Sequence, residues 1–179
     1  MLITISGLPG VGTTTVGEIL AKHYEMEYIS AGMIFRNLAK EKGVSLAEFG
    51  KMAECDISVD KMIDERHKQL SEECDNIILE GRLAGIMANP PRNIKTVRIW
   101  LKAPLETRVR RIMNREGASS FRYEFNETME REECEQNRYK KYYNIDVNDL
   151  SVYDIVIDTE KWDQFKVAKI LIEAIDSMN

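Results

Sequence analysis

Nine residues near the start constrain the chain most: Gly7-Leu8-Pro9-Gly10-Val11-Gly12-Thr13-Thr14-Thr15, directly after the apolar run Leu2-Ile3-Thr4-Ile5-Ser6. The run reads as a buried parallel strand, and Val16-Gly17-Glu18-Ile19-Leu20-Ala21 behind the loop reads as a helix. Gly7, Gly10 and Gly12 allow a tight turn that aims successive backbone N–H groups inward, toward a helix N-terminus carrying positive dipole charge. The product is an anion pocket of phosphate size. In the G-x-x-x-x-G-K-[ST] pattern Thr14 takes the last place, whose hydroxyl ligates Mg²⁺. Thr13 stands where that pattern has its lysine, so the loop offers backbone donors and a hydroxyl in place of a mobile charge.

A chain of 179 residues, 44% of them apolar, has the size and the core of one compact domain. Its formal charge of -5 argues against a general nucleic-acid or membrane-surface binder, which needs a basic surface. Cationic side chains must therefore be used locally. Cys55, Cys74 and Cys134 lack metal-site spacing and read as reduced thiols, and His23 and His67 read as ordinary helix residues. No apolar run approaches 20 residues, so neither a leader nor a membrane span is expected.

Strand and helix patterns alternate along the rest. Glu27 to Ser30 predicts a second strand. Helices are expected over Met33 to Lys42, Ser45 to Cys55 and Val59 to Glu73, the middle one opened by a Ser45/Glu48 capping box. Asn76-Ile77-Ile78-Leu79-Glu80 reads as the third strand, ending in an acid suited to hold a water on Mg²⁺, with Gly81-Arg82 opening into the crevice above the sheet. Thr96 to Leu101 is the fourth strand, Leu105 to Glu116 a helix, Gly117 to Phe125 a loose stretch, and Asn126 to Tyr143 a long charged helix. Asp154 to Asp158 makes the fifth strand and Gln164 to Met178 a closing amphipathic helix. This alternation predicts an α/β fold with a parallel sheet, its ligands held at the C-terminal ends of the strands. Residues 31–73 form a long helical excursion that suggests a movable flap.

The arginines carry the charge that such a crevice needs. Phosphoryl transfer depends on positioning and charge neutralisation, and one arginine on the transferring group can contribute about 10³–10⁵ in rate. Arg131 and Arg138 lie seven apart, within about 20° of one helical stripe, with Glu135 placed to hold both. Arg111 and Arg115 sit one turn apart and can stack on a purine or reach its phosphates. Arg36 and Arg82 stand at the mouths of the second and third strands.

The phosphate loop, Ser30-Ala31-Gly32-x-x-Phe35-Arg36, Glu80-Gly81-Arg82 and the Arg131/Arg138 helix together resemble the nucleoside monophosphate kinases. The resemblance is to the archaeal type of cytidylate kinase, carried also by Gly12-Thr13-Thr14-Thr15, Arg82-Leu83-Ala84-Gly85, Tyr143-Asn144-Ile145-Asp146 and Ser151-Val152-Tyr153-Asp154, over essentially the whole chain. It implies a P-loop kinase fold with a five-stranded parallel sheet in the order 2-3-1-4-5. It divides one domain into a core (1–30, 74–116 and 131–179), a monophosphate-binding flap (31–73) and a lid (about 117–130). It further implies ATP phosphates in Gly7, Leu8, Pro9, Gly10, Val11, Gly12, Thr13, Thr14 and Thr15, with Arg111 and Arg115 on the ATP side. Ser30, Gly32, Arg36, Gly81 and Arg82 would hold CMP, Arg131 and Arg138 would act in catalysis, and Mg²⁺ would sit at Thr14. The substrates implied are ATP with CMP or dCMP, in a cytoplasmic monomer that uses neither nucleic acid nor membrane. Bacterial cytidylate kinases place an aspartate after the Gly-Arg pair; here it is Leu83. Acceptors AMP, UMP and dTMP are the nearest alternatives, and a non-catalytic nucleotide-binding regulator is a more distant one, motivated by Thr13.

Overall fold

The computed structural model describes residues 1–55, 57–117 and 120–178, with the side chains of all but residues 46, 47, 51, 54, 55 and 116. Asp56 in the break before the flap's last helix, residues 118 and 119 of the expected lid, and the Cys55 thiol therefore lie outside the described residues. Five strands build one parallel sheet: β1 (Leu2–Gly7), β2 (Glu27–Ser30), β3 (Ile77–Glu80), β4 (Thr96–Lys102) and β5 (Ile155–Asp158). Their order is β2-β3-β1-β4-β5, as the sequence leads one to expect.

β1 is the centre because it is buried on both faces. Leu2, Ile3 and Ile5 are fully buried, and the strand pairs with β3 in the register Leu2 to Ile77 and with β4 in the register Leu2 to Thr96. Alternation along the strand separates two cores. Ile3 and Ile5 face α1 (Thr13–Tyr24) and α8 (Gln164–Ser177), packing with Val16, Leu20, Ile99, Leu101 and Leu171. Leu2 faces the other way, with Ile34, Leu70, Ile77, Leu79 and Ala84 from α2 (Ala31–Glu41), α4 (Ile57–Glu73), β3 and α5 (Ala84–Met87). The sheet is thus covered on both sides, as parallel sheets must be.

α2, α3 (Leu46–Cys55) and α4 pack around a separate small core of Ala39, Phe49 and Val59. The capping box forms: Ser45 Oγ accepts from the Glu48 amide at 3.2 Å, and the Glu48 carboxylate accepts from the Ser45 amide at 2.9 Å. α6 (Leu105–Glu116) is followed by α7 (Phe121–Tyr143), a 23-residue helix that starts five residues before the expected Asn126. Ser120 caps it by accepting from Tyr123 N, and Phe121 lies under the Arg110 guanidinium, 5.0 Å from its ring centre. These local partners make helical a stretch whose polarity pattern looked loose. α5, a single turn after Arg82, was not anticipated either; the Arg98 side chain holds it by donating to the Gly85 and Ala88 carbonyls.

Candidate active site

β1 ends in the loop Leu8 to Gly12, and α1 begins at Thr13. Gly10 and Gly12 take φ of 84° and 98°, a region costly for residues with a Cβ. A Cβ on Gly10 would also strike the Arg108 backbone at 2.6 Å, whereas one on Gly12 would project into open space. That space lies over the N-terminus of α1.

Side chains from elsewhere fix this loop through its carbonyls. Arg82 Nη1 donates to Gly7 O at 3.0 Å, Arg108 Nη1 to Pro9 O at 3.2 Å, and Thr159 Oγ1 to Val11 O at 3.2 Å, with Arg111 Nη1 also directed at Val11 O. In a trans peptide the carbonyl and the following N–H point opposite ways. The N–H groups of Leu8, Gly10 and Gly12 therefore face away from these donors, free for an anion. The cradle is held open by arginines that do not enter it.

Arg108 is the functional residue that sequence reasoning missed. It is 4% exposed, makes a bidentate pair with Glu132 of α7, and donates from Nε to Ala103 O. Its apolar neighbours on α6 were the available signal, since an arginine on a buried stripe must be paired. Arg111, expected to stack on a purine or reach its phosphates, donates to Thr159 Oγ1 at 2.9 Å and to Thr159 O at 2.6 Å. The same length and planarity that suit it to a nucleotide suit it to this staple. Arg115 is exposed on α6.

Thr13 and Glu80 meet across 67 residues. Thr13 Oγ1 donates to Glu80 Oε1 at 2.7 Å, Tyr28 Oη donates to Oε2 at 3.3 Å, and Thr14 lies beside the same tyrosine. Burial lifts the Glu80 pKa, and the two hydroxyls and Arg82 only partly offset it. Thr13 is therefore spent on the acid at the end of β3.

At the C-terminal end of β2, Ser30 caps α2 by accepting from Met33 N at 3.1 Å. Arg36 lies beside Gly32, exposed and without a hydrogen-bond or ion-pair partner among the described residues. Gly81 packs where a Cβ would come within 2.8 Å of His67 Cε1.

Glu135 holds two arginines, but not the pair expected. Its Oε2 accepts from Arg82 Nε at 2.8 Å and its Oε1 from Arg131 Nε at 3.0 Å. Arg138 turns aside to Asp60 of α4, Nε to Oδ2 at 3.0 Å, and Tyr143 likewise donates to Asp64 Oδ2 at 2.8 Å. The i,i+3 place that Arg138 occupies relative to Glu135 is overridden by a carboxylate on the facing helix. Burial opposes ionisation of Glu135, yet Arg82 and Arg131 keep its pKa below the usual range; burial lifts the Asp64 pKa to about 7. Arg131 keeps 66% of its side chain in solvent. Glu135 thus joins Arg82, which follows β3, to Arg131 of α7, while Arg138 of the same helix pairs with α4.

Residues 2–161 match the model of the cytidylate kinase-like family. The chain belongs to that family. A cytidylate kinase of Methanococcoides burtonii is 58% identical over 177 residues, covering 99% of this chain and 98% of its own. One from Methanocaldococcus jannaschii is 46% identical over 178 residues, covering 99% of each. Among solved structures, shikimate kinase from Aquifex aeolicus superposes with a TM-score of 0.60 at 16% identity, covering 98% of this chain and 96% of its own. That likeness is of fold, the P-loop kinase sheet. This cytidylate kinase-like chain is accordingly an enzyme, a phosphotransferase of the nucleoside monophosphate kinase kind. Among the described residues no helix is long and apolar enough to cross a membrane.

Proposed function

We propose that this chain transfers the γ-phosphoryl group of ATP to CMP, and to dCMP, giving ADP and CDP or dCDP. The observation that carries the reading is the cradle of Gly7 to Thr15, its carbonyls tied back by Arg82, Arg108 and Thr159, with Arg82 joined through Glu135 to Arg131 of α7. The full-length relatives named cytidylate kinase support CMP as the acceptor. The ATP phosphates lie against the N–H groups of Leu8, Gly10 and Gly12, with Arg115 on the ATP side and Arg111 serving through the loop. Ser30, Gly32, Arg36, Gly81 and Arg82 take the monophosphate.

The donor set suits Mg²⁺: a hydroxyl at Thr14 and the carboxylate of Glu80, whose oxygens are already ordered by Thr13 and Tyr28, are hard oxygen ligands, direct or through water. Mg²⁺ bound there would supply charge neutralisation on the phosphates. The protein's own part is to position both nucleotides and to bring Arg131 and Arg138 onto the moving group. Residues 31–73 act as a flap and residues 117–130 as a lid, closing over both nucleotides to exclude water. The enzyme works as a cytoplasmic monomer.

The test is an acceptor panel of CMP, dCMP, UMP, AMP and dTMP with ATP and Mg²⁺, followed by ADP release. CMP and dCMP are expected to lead. A stronger response to another base, or ATP binding with no acceptor-dependent ADP release, overturns the proposal.

A further inference from the structure

Cytosine and uracil differ at two adjacent positions of the ring edge: cytosine presents an amino donor and a bare N3 acceptor where uracil presents a carbonyl acceptor and an N3–H donor. An acceptor aimed at the amino group selects CMP, because the uracil carbonyl in its place cannot donate. Leu83, after Gly81-Arg82, supplies none; it is buried against Tyr139 and Val147. The acids around the crevice narrow the choice. Glu80, held by Thr13 and Tyr28, is given to the metal, Glu132 pairs with Arg108, and Glu135 with Arg82 and Arg131. Asp64 accepts from Tyr143, a neighbour that has no other assigned task. Asp60 is different: its recorded partner is Arg138, an arginine that phosphoryl transfer needs elsewhere.

Its position fits as well. Asp60 lies on the flap helix α4 and faces α7 one turn from Glu135, close enough for the two carboxylates to repel. Glu135 in turn touches Arg82, and Arg82 touches the Gly7 carbonyl of the cradle. About a fifth of the Asp60 side chain, 21%, remains open to solvent.

We propose, resting on CMP as the acceptor, that Asp60 reads the cytosine amino group and that the base displaces Arg138 from it. The amino hydrogens donate to the carboxylate that Arg138 now occupies. Freed, Arg138 turns toward the phosphoryl group in transit. Uracil sets lone pairs against lone pairs, so it neither binds Asp60 nor frees the arginine. Base choice then acts on turnover as well as on binding, and Arg138 stays parked when no acceptor is present.

The experiment compares wild type with Asp60→Asn, Asp60→Ala and the milder Asp60→Glu. It measures kcat and KM with CMP and UMP, calorimetric binding of each, and ATP hydrolysis without acceptor. An asparagine amide can turn its donor to the uracil carbonyl, so the CMP-over-UMP preference should fall by about a hundredfold in Asp60→Asn. Hydrolysis without acceptor should rise by about tenfold in Asp60→Ala, which no longer parks Arg138. Wild type is also given N4,N4-dimethyl-CMP, which has no amino hydrogens, and should bind it about a hundredfold more weakly than CMP. Folded variants that keep the CMP-over-UMP preference within about threefold, or equal binding of the dimethyl analogue by wild type, overturn the assignment. A wild type that makes no CDP refutes the proposed function itself; a wild type that prefers CMP beside an equally selective Asp60→Asn refutes only the role of Asp60.

Discussion

Thr13 shows how one hydroxyl can change what a phosphate loop does. Its proton is given to Glu80 at 2.7 Å, inside a cluster that burial has already made costly to ionise. Thr13→Val removes one of two donors from a buried carboxyl and is expected to lower unfolding free energy by about 1–3 kcal/mol. Thr13→Lys sets an ammonium beside the same acid and should stay within about 1 kcal/mol of wild type. Urea unfolding of both variants checks the pair; equal stability of Thr13→Val and wild type would show that the bond contributes nothing. At this scale the sequence was partly legible. The glycine spacing located the cradle, because only glycine tolerates the φ of Gly10 and Gly12. The bond partners of Thr13, Arg111 and Arg138 were not legible, because each lies 48 or more residues away and is chosen by packing.

Between elements, the buried Arg108–Glu132 pair joins α6 to α7. Breaking it by Arg108→Met leaves Glu132 unpaired in the interior and should cost about 3–5 kcal/mol, whereas Arg108→Met with Glu132→Leu should regain most of that. Turnover of the double variant should stay low, since the donor to the Pro9 carbonyl is gone as well. Unfolding curves and steady-state rates on the four members of the cycle decide it. The strands and most helices were readable from alternation and periodicity, because they express which face of each segment is buried, whereas the strand order followed from the family resemblance. The early start of α7 was not: its first turn rests on the Ser120 cap and on Phe121 under Arg110, contacts without a polarity rhythm.

For the whole molecule, two groups on α4 give stability opposite slopes with pH. Burial lowers the His67 pKa from 6.5 to about 4, so between those values only the unfolded chain is protonated there and stability rises with pH. Burial raises the Asp64 pKa from 3.8 to about 7, so the folded chain keeps a proton that the unfolded chain has lost and stability falls with pH. Each slope approaches about 1.4 kcal/mol per pH unit, and in the shared window they oppose. Asp64→Asn, which keeps an acceptor for Tyr143, should therefore gain stability steadily as pH climbs toward 6.5, while His67→Gln should lose it over the same range. Denaturation at stepped pH tests both signs, and parallel curves for the two variants would contradict them. The long helix α7 has a mechanical consequence of its own. Pinned at its midpoint, Glu132, it is a rod that carries Phe121 eleven residues from the fulcrum on one arm and Arg138 only six residues out on the other. Tilting it by about 10° about that fulcrum carries Phe121 through about 3 Å and Arg138 through about 1.5 Å in the opposite sense, from arms of about 16 Å and about 9 Å. A small stroke at the guanidinium is thus geared to a larger sweep at the far tip.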